Sequence, residues 1–212
     1  IPLRLVGSEM CIRDRNREGT IEGNRNFARR LGLDIIAVDL KQTHSIKGKE
    51  LETISSQRIR KLIQNGQLDI ANSLLGRNWC ITGIVKKGKQ QGREIGFPTA
   101  NLNIKKFLKP PLGVYVTRLK IIDQKELENS NDWLPSISNI GTRPTVSGDS
   151  INLETHIIDL NNKDFDINLY GKRIRVELLD FLRSEKKFNS LSDLKKQIEF
   201  DTKKAYNFHK LR

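Results

Sequence analysis

Beyond residue 78 the apolar residues of this chain recur with a period of two. Residues 79–85, 113–122, 151–158 and 173–182 combine β-branched and aromatic residues in partial alternation with polar ones, the pattern of strands with one face in a core. Turn-forming residues separate them: Lys87-Gly88, Pro110-Pro111, Ser147-Gly148-Asp149 and Tyr170-Gly171. From Ser190 the period becomes helical, with Leu191, Leu194, Ile198, Ala205 and Phe208 largely on one face and Ser190 and Asp193 placed as a capping box. Strands with a single apolar face must hide it against one another or under a helix. The expected architecture of residues 77–212 is therefore mainly β, a small barrel or sandwich of antiparallel strands with a C-terminal helix packed on it.

The preceding stretch reads differently. Residues 20–31 set Ile21, Phe27, Ala28 and Leu31 among polar residues, which predicts a short amphipathic helix ended by Gly32. Residues 34–40 are a compact apolar run, predicting a buried strand. Ser55 or Ser56 can cap a helix carrying Ile59, Leu62 and Ile63, ended by Asn65-Gly66, and a further helix over 69–75 closes at Gly76. Helix, strand and helices in this order read as the end of an α/β domain, with a boundary at residues 76–78.

Charge narrows the partners less than its size suggests. The chain carries 38 Lys and Arg against 25 Asp and Glu, a net +13, and an excess of this size favours anionic partners. The cations are dispersed in pairs such as Arg29-Arg30, Lys105-Lys106 and Lys203-Lys204, with no basic tail, and aromatics are only 6%, few for stacking bases. A basic nucleic-acid-binding barrel is the alternative this leaves open. Two cysteines, Cys11 and Cys80, are too few for a disulfide scaffold or a Cys-built zinc site. No run approaches the ~18 apolar residues of a membrane span, and the opening residues lack the basic and apolar regions of a signal peptide. A cytoplasmic protein without a membrane partner is expected.

Three stretches can carry chemistry. In the first, residues 88–101, Gly88, Gly92 and Gly96 stand among Lys89 and Arg93, so that backbone N–H groups and cations can approach a polyphosphate. Neither a Walker A loop nor a dinucleotide fingerprint is present. Pro98 stiffens the segment. Thr99 and Asn101 then point to one side of an extended chain and offer the hard oxygens that suit Mg²⁺. A hairpin turn with a polar edge explains the same residues without a ligand. In the second, Asn152, Glu154 and His156 share one face of a strand whose other face holds Leu153 and Thr155. A carboxylate beside an imidazole can orient or deprotonate a hydroxyl, and an outward-facing polar edge is the plainer reading. In the third, Arg183 and Glu185 lie between Phe181 and Phe188 where the last strand passes to the helix, either a loop that closes on a planar ligand or a solvated crossing.

Together these stretches resemble riboflavin kinases. Residues 92–102 with their Phe-Pro-Thr-Ala-Asn element, Gly113-Val-Tyr115, Asn139-Ile-Gly-Thr-Arg-Pro-Thr145, Leu153-Glu-Thr-His156, Leu169-Tyr-Gly-Lys172 and residues 181–188 follow the order seen in that family, over residues 77–212. Upstream, Asn16-Arg-Glu-Gly19, residues 54–60 and Leu75-Gly-Arg77 resemble the tail of the adenylyltransferase domain of the bacterial bifunctional riboflavin kinase/FAD synthetase. The resemblance implies a closed Greek-key β-barrel with a C-terminal helix, preceded over residues 16–76 by a truncated α/β nucleotidyltransferase remnant. It implies transfer of the γ-phosphoryl of ATP to the ribityl 5′-hydroxyl of riboflavin, giving FMN. Glu154 would be the base, and Thr99 and Asn101 would hold Mg²⁺ and phosphate oxygens. The loop of Gly88, Gly92, Arg93 and Gly96, stiffened at Pro98, would cover the nucleotide. Arg183 and Glu185 would belong to a flap over the flavin. The partners implied are riboflavin or FMN and ATP or ADP, on a monomer, with no nucleic acid and no membrane.

Two departures qualify the resemblance. Residues 16–76 lack the His-x-Gly-His motif of the adenylyltransferase half, and Gln57 stands where that family usually has threonine, so FAD synthesis is expected only of the full-length parent. Residues 1–15 resemble no part of the family and read as translated adapter sequence, a non-native leader expected to be disordered. An independently sequenced genomic clone with the same junction would overturn that reading.

Overall fold

All four period-two segments form strands in the computed structural model of the chain, which describes residues 20–36, 41–42, 53–88, 91–122, 133–145, 148–159 and 168–211. They are β1 (Cys80–Ile84), β3 (Gly113–Ile121), β5 (Gly148–Ile157) and β6 (Arg173–Ser184), joined by β2 (Ala100–Asn103) and β4 (Leu134–Thr145). Every pairing is antiparallel, in the order β1-β6-β3-β4-β5-β2. The meander β3-β4-β5, with β6 returning beside β3, is a Greek key. At the sheet's two ends the Lys86 N–H, just past β1, donates to the Asn101 carbonyl on β2 at 3.0 Å, so the six strands form a nearly closed barrel. This is the fold that the resemblance implies.

The two strands outside the predicted set are the ones whose residues argue against strand. β4 contains Pro135 and Pro144, and proline cannot donate to a ladder. β2 has only four residues. Pairing with neighbouring strands outweighs local preference in each case: β4 pairs with β3 over Leu134–Ile140 and with β5 over Ser136–Thr145, so that each proline is paired with only one neighbour.

Alternation along the strands builds two cores. Inside the barrel, Ile81, Leu102, Tyr115, Leu119, Ile140, Leu153, Ile174, Val176 and Leu178 are buried. Among them runs a chain of hydroxyls, in which Thr117 Oγ1 bonds Ser136 Oγ and Ser138 Oγ, and Ser138 Oγ bonds Thr155 Oγ1, each at 2.8 Å. A buried hydroxyl is stable only while it is paired. Ser138 sits at the middle of the chain, so Ser138→Ala leaves both neighbours short of a partner and is expected to cost about 1–3 kcal/mol in urea unfolding. A loss below ~0.5 kcal/mol would show the chain to be dispensable.

Outside the barrel, Val114, Val116, Ile137, Ile158 and Leu179 form a second core with Ala205, Tyr206 and Phe208 of the C-terminal helix (Leu191–Lys210). That helix begins as the sequence predicts, with the Ser190 hydroxyl accepting from the Asp193 N–H at 3.1 Å. It is pinned near its end by His209 Nε2 against the Thr117 carbonyl at 2.9 Å.

The upstream helices are α1 (Ile21–Arg30), capped by Thr20, α2 (Ser56–Gln64), capped by Ser55, and α3 (Leu68–Leu75), ended by Gly76 with φ +67. A single-turn α4 (Gln91–Glu94) follows β1, and the C-terminal helix is α5. The described residues divide into two compact units at Thr53 and Ile54, so α2 and α3, which the sequence assigns to the segment before residue 76, share a unit with the barrel. The reason is Asn72: its side chain donates to the Leu178 carbonyl at 3.0 Å and accepts from the Trp79 N–H at 2.7 Å, tying α3 to β6 and to the start of β1. In the first unit, residues 34–36 carry no strand; the rest of the expected strand and the leader at 1–15 lie outside the described residues. Among the described residues no helix is long and apolar enough to cross a membrane.

Candidate active site

The buried pair Leu153 and Thr155 decides where the polar residues of β5 go. With these two inside the barrel, Asn152, Glu154 and His156 must face outward. Register then builds a row across the outer surface. Glu154 stands opposite Asn101 on one side and Asn139 on the other; Asn139 stands opposite Val114, and Val114 opposite Arg183. Residues directly opposite on neighbouring antiparallel strands lie about 4.5–5.5 Å apart at their Cα atoms. Asn101 and Glu154 are therefore neighbours although 53 positions separate them in the chain.

Asn101 is the central residue of one end of this row. Its Nδ2 donates to the Thr99 carbonyl at 3.3 Å. Its Oδ1 is buried and has no hydrogen-bond partner among the described residues. An unpaired buried acceptor costs about 1–3 kcal/mol, and a cation or a ligand donor would satisfy it. The glycine-rich loop sits against this same side chain: a Cβ on Gly88 would stand 2.8 Å from Asn101 Nδ2. Gly92 is needed for a second close approach, because its carbonyl accepts from the Phe97 N–H at 2.7 Å and a Cβ there would stand 2.4 Å from the Phe97 carbonyl oxygen. Gly96, with φ +91, completes the turn, and Arg93 in α4 is exposed.

His156 joins this loop to β5. Its Nδ1 lies 2.9 Å from the Pro98 carbonyl, and its ring meets the Phe97 ring edge to face, with centroids 5.2 Å apart and planes at 72°. Burial holds the imidazole below its usual pKa, against the opposing effect of the Pro98 bond.

The other end of the row is occupied by the crossing from β6 to α5. The Arg183 guanidinium places Nε and Nη2 at 2.8 and 2.7 Å from Asp201 Oδ2, and Nη1 donates to the Ser184 carbonyl at 3.0 Å. Gln197 holds the second Asp201 oxygen at 2.8 Å. Arg183 is thus committed to α5. Glu185 lies over Gly141, where a Cβ would meet its Oε1 at 2.5 Å and Asn139 Nδ2 at 3.1 Å.

Register brings Asn101 and Glu154 to one end of the row and Arg183 to the other; Thr99 precedes Asn101 by two residues, Gly88 lies against the Asn101 side chain, and Glu185 lies over Gly141 beside Asn139. Asn139, between them, was given no role by sequence reasoning. Its only signal is the Asn139–Thr145 stretch, which does not reveal what stands across from it. Among the described residues no three His, Cys, Asp or Glu side chains cluster as a metal site.

Comparison with known proteins gives a consistent set of matches. The Flavokinase family model, described as riboflavin kinase, matches residues 75–209. The "Bifunctional riboflavin kinase/FMN adenylyltransferase" of Escherichia coli strain K12 is 39% identical over 155 residues, 73% of this chain and 46% of that protein. The protein of the same name from Pseudomonas fluorescens is 35% identical over 185 residues, 86% of this chain and 54% of that protein. A crystal structure named as a macrolide-efflux protein from Streptococcus pneumoniae matches with a TM-score of 0.68 and 30% identity, over 90% of this chain and 56% of that one. The chain spans about half the length of the curated relatives it matches.

Proposed function

Because the chain belongs to the riboflavin kinase family, matched over residues 75–209, we propose that it phosphorylates riboflavin with ATP to give FMN and ADP. The observation that carries this reading is the unpaired, buried Asn101 Oδ1 standing directly across the β2–β5 ladder from Glu154. An oxygen in want of a cation beside a carboxylate on an outward face is what phosphoryl transfer asks of a protein: charge neutralisation next to a group that takes the hydroxyl proton.

In this reading Glu154 accepts the proton of the ribityl 5′-hydroxyl as its oxygen bonds to the γ-phosphorus and the bond to the β–γ bridging oxygen breaks, releasing ADP. Thr99 and Asn101 Oδ1 would hold Mg²⁺, an ion that favours hard oxygen ligands. The ion supplies neutralisation of charge on the transferring group. The turn of Gly88, Gly92 and Gly96, with Arg93 and the stiff Pro98, covers the nucleotide. Arg183 anchors the crossing to α5, and Glu185 lies where that crossing closes over the flavin. Residues 16–76 are read as the tail of an adenylyltransferase domain, so FMN and not FAD is the product of this chain. The reading describes a monomeric cytoplasmic enzyme that takes no nucleic-acid or membrane partner.

Release of ADP from ATP, followed with and without riboflavin, tests the reading together with its metal. Release should require riboflavin and Mg²⁺. In Thr99→Ala the Mg²⁺ concentration for half-maximal rate should rise about tenfold, the loss of one bond to a charged group. Riboflavin-independent release would count against the kinase reading, and an unchanged Mg²⁺ dependence would remove Thr99 from the metal site.

A further inference from the structure

The β2–β5 ladder begins at Ala100 opposite Thr155, one residue too late to hold Thr99. The ladder does not extend to Thr99 opposite His156, and beyond that point Pro98, with no N–H to donate, cannot form the next hydrogen-bonded pair, so the backbone alone leaves residues 97–99 without a ladder. A side chain supplies the missing connection. His156 Nδ1 reaches the Pro98 carbonyl at 2.9 Å, and its ring packs edge to face on Phe97 at 5.2 Å. One residue of β5 thereby grips both positions that precede Thr99. On the far side of Thr99, Asn101 is already fixed by its pairing with Glu154 and by the Lys86 N–H on its carbonyl.

We propose that His156 is a positioning residue, whose bond to the Pro98 carbonyl sets where the Thr99 hydroxyl stands relative to Asn101 and Glu154. It lies two positions from Glu154 on the same face of the same strand, so it references the loop to the strand that carries the carboxylate. It takes no part in proton transfer. Burial favours the neutral ring, which donates from Nδ1 and adds no charge beside the carboxylate. The inference rests on the kinase reading and assigns His156 a role within that site.

The test compares His156→Ala with His156→Asn, whose amide nitrogen falls near the place of Nδ1 and can restore the donor without the ring. MgADP binding by calorimetry is read first, with thermal midpoints of the ligand-free proteins as the folding control. His156→Ala should bind MgADP about tenfold more weakly and raise the KM for ATP in proportion, with the KM for riboflavin within about twofold. His156→Asn should recover binding to within about threefold of the parent. MgADP affinity in folded His156→Ala equal to the parent's would overturn the proposal, as would His156→Asn no better than His156→Ala. If His156→Ala does not fold, His156→Asn decides: parent-like binding supports the proposal and tenfold weaker binding contradicts it. A parent that makes FMN while His156→Ala matches it sinks this inference alone; a folded parent that makes none sinks the kinase reading.

Discussion

Replacing Glu154 by glutamine should lower kcat for riboflavin phosphorylation by about 10²–10⁴-fold, the usual worth of a positioned general base. The substitution keeps volume and shape on β5 while removing the charge and the capacity to take a proton. Glu154 is half-buried on the outer face, whereas its neighbours Leu153 and Thr155 fill the barrel, so the core is untouched and the thermal midpoint should move by no more than a few degrees. The KM values for ATP and riboflavin should change much less than kcat, because a group that acts mainly in the transition state contributes little to ground-state binding. Steady-state kinetics on a folded variant settle the matter. A kcat within tenfold of the parent would take the base role away from Glu154.

The largest effect on stability should come from Asp201→Ala. The Asp201 side chain is 4% exposed and that of Arg183 16%, and the aspartate is the shared acceptor for Arg183 and Gln197. Its removal leaves a nearly buried guanidinium without its counter-charge. Breaking a buried pair from one side costs about 3–5 kcal/mol, to be read by urea unfolding. Asp201→Asn, which retains an acceptor of the same shape, should cost less. The two variants also separate stability from function. Loss of the anchor frees the crossing at residues 181–188, so the KM for riboflavin should rise more than the KM for ATP. A loss under 1 kcal/mol in Asp201→Ala would mean that α5 is held by its apolar face alone.

The parts of the fold that could be read from sequence are those set by local chemistry. Helices announce themselves through Ser55 and Ser190 at their starts and Gly32 and Gly76 at their ends, and β1, β3, β5 and β6 through their alternation. β4 was hidden by Pro135 and Pro144, which the structure tolerates because each faces a single partner strand, Pro135 opposite Arg118 of β3 and Pro144 opposite Asp149 of β5. The docking of α3 through Asn72 was equally hidden, because a polar residue within a short helix gives no sign that its amide reaches Leu178 and Trp79.

The site divides in the same way. Thr99 with Asn101, and Glu154 with His156, are legible as pairs because i and i+2 share a face of an extended segment. That the two pairs meet depends on strand register, and register is set by interior residues far apart in sequence. Asn139, across from Glu154, was missed for that reason, and Asp201, the partner of Arg183, because it reaches β6 only through the packing of α5. The sequence places Arg183 in a loop that closes over a planar ligand, and gives no sign that its guanidinium pairs with Asp201 of α5.

The most direct test of the account is incubation of the purified chain with riboflavin, ATP and Mg²⁺, followed by chromatographic separation of the flavins. The account predicts FMN, formed only when both ATP and Mg²⁺ are present, with no FAD. A folded protein that converts no riboflavin to FMN would contradict it.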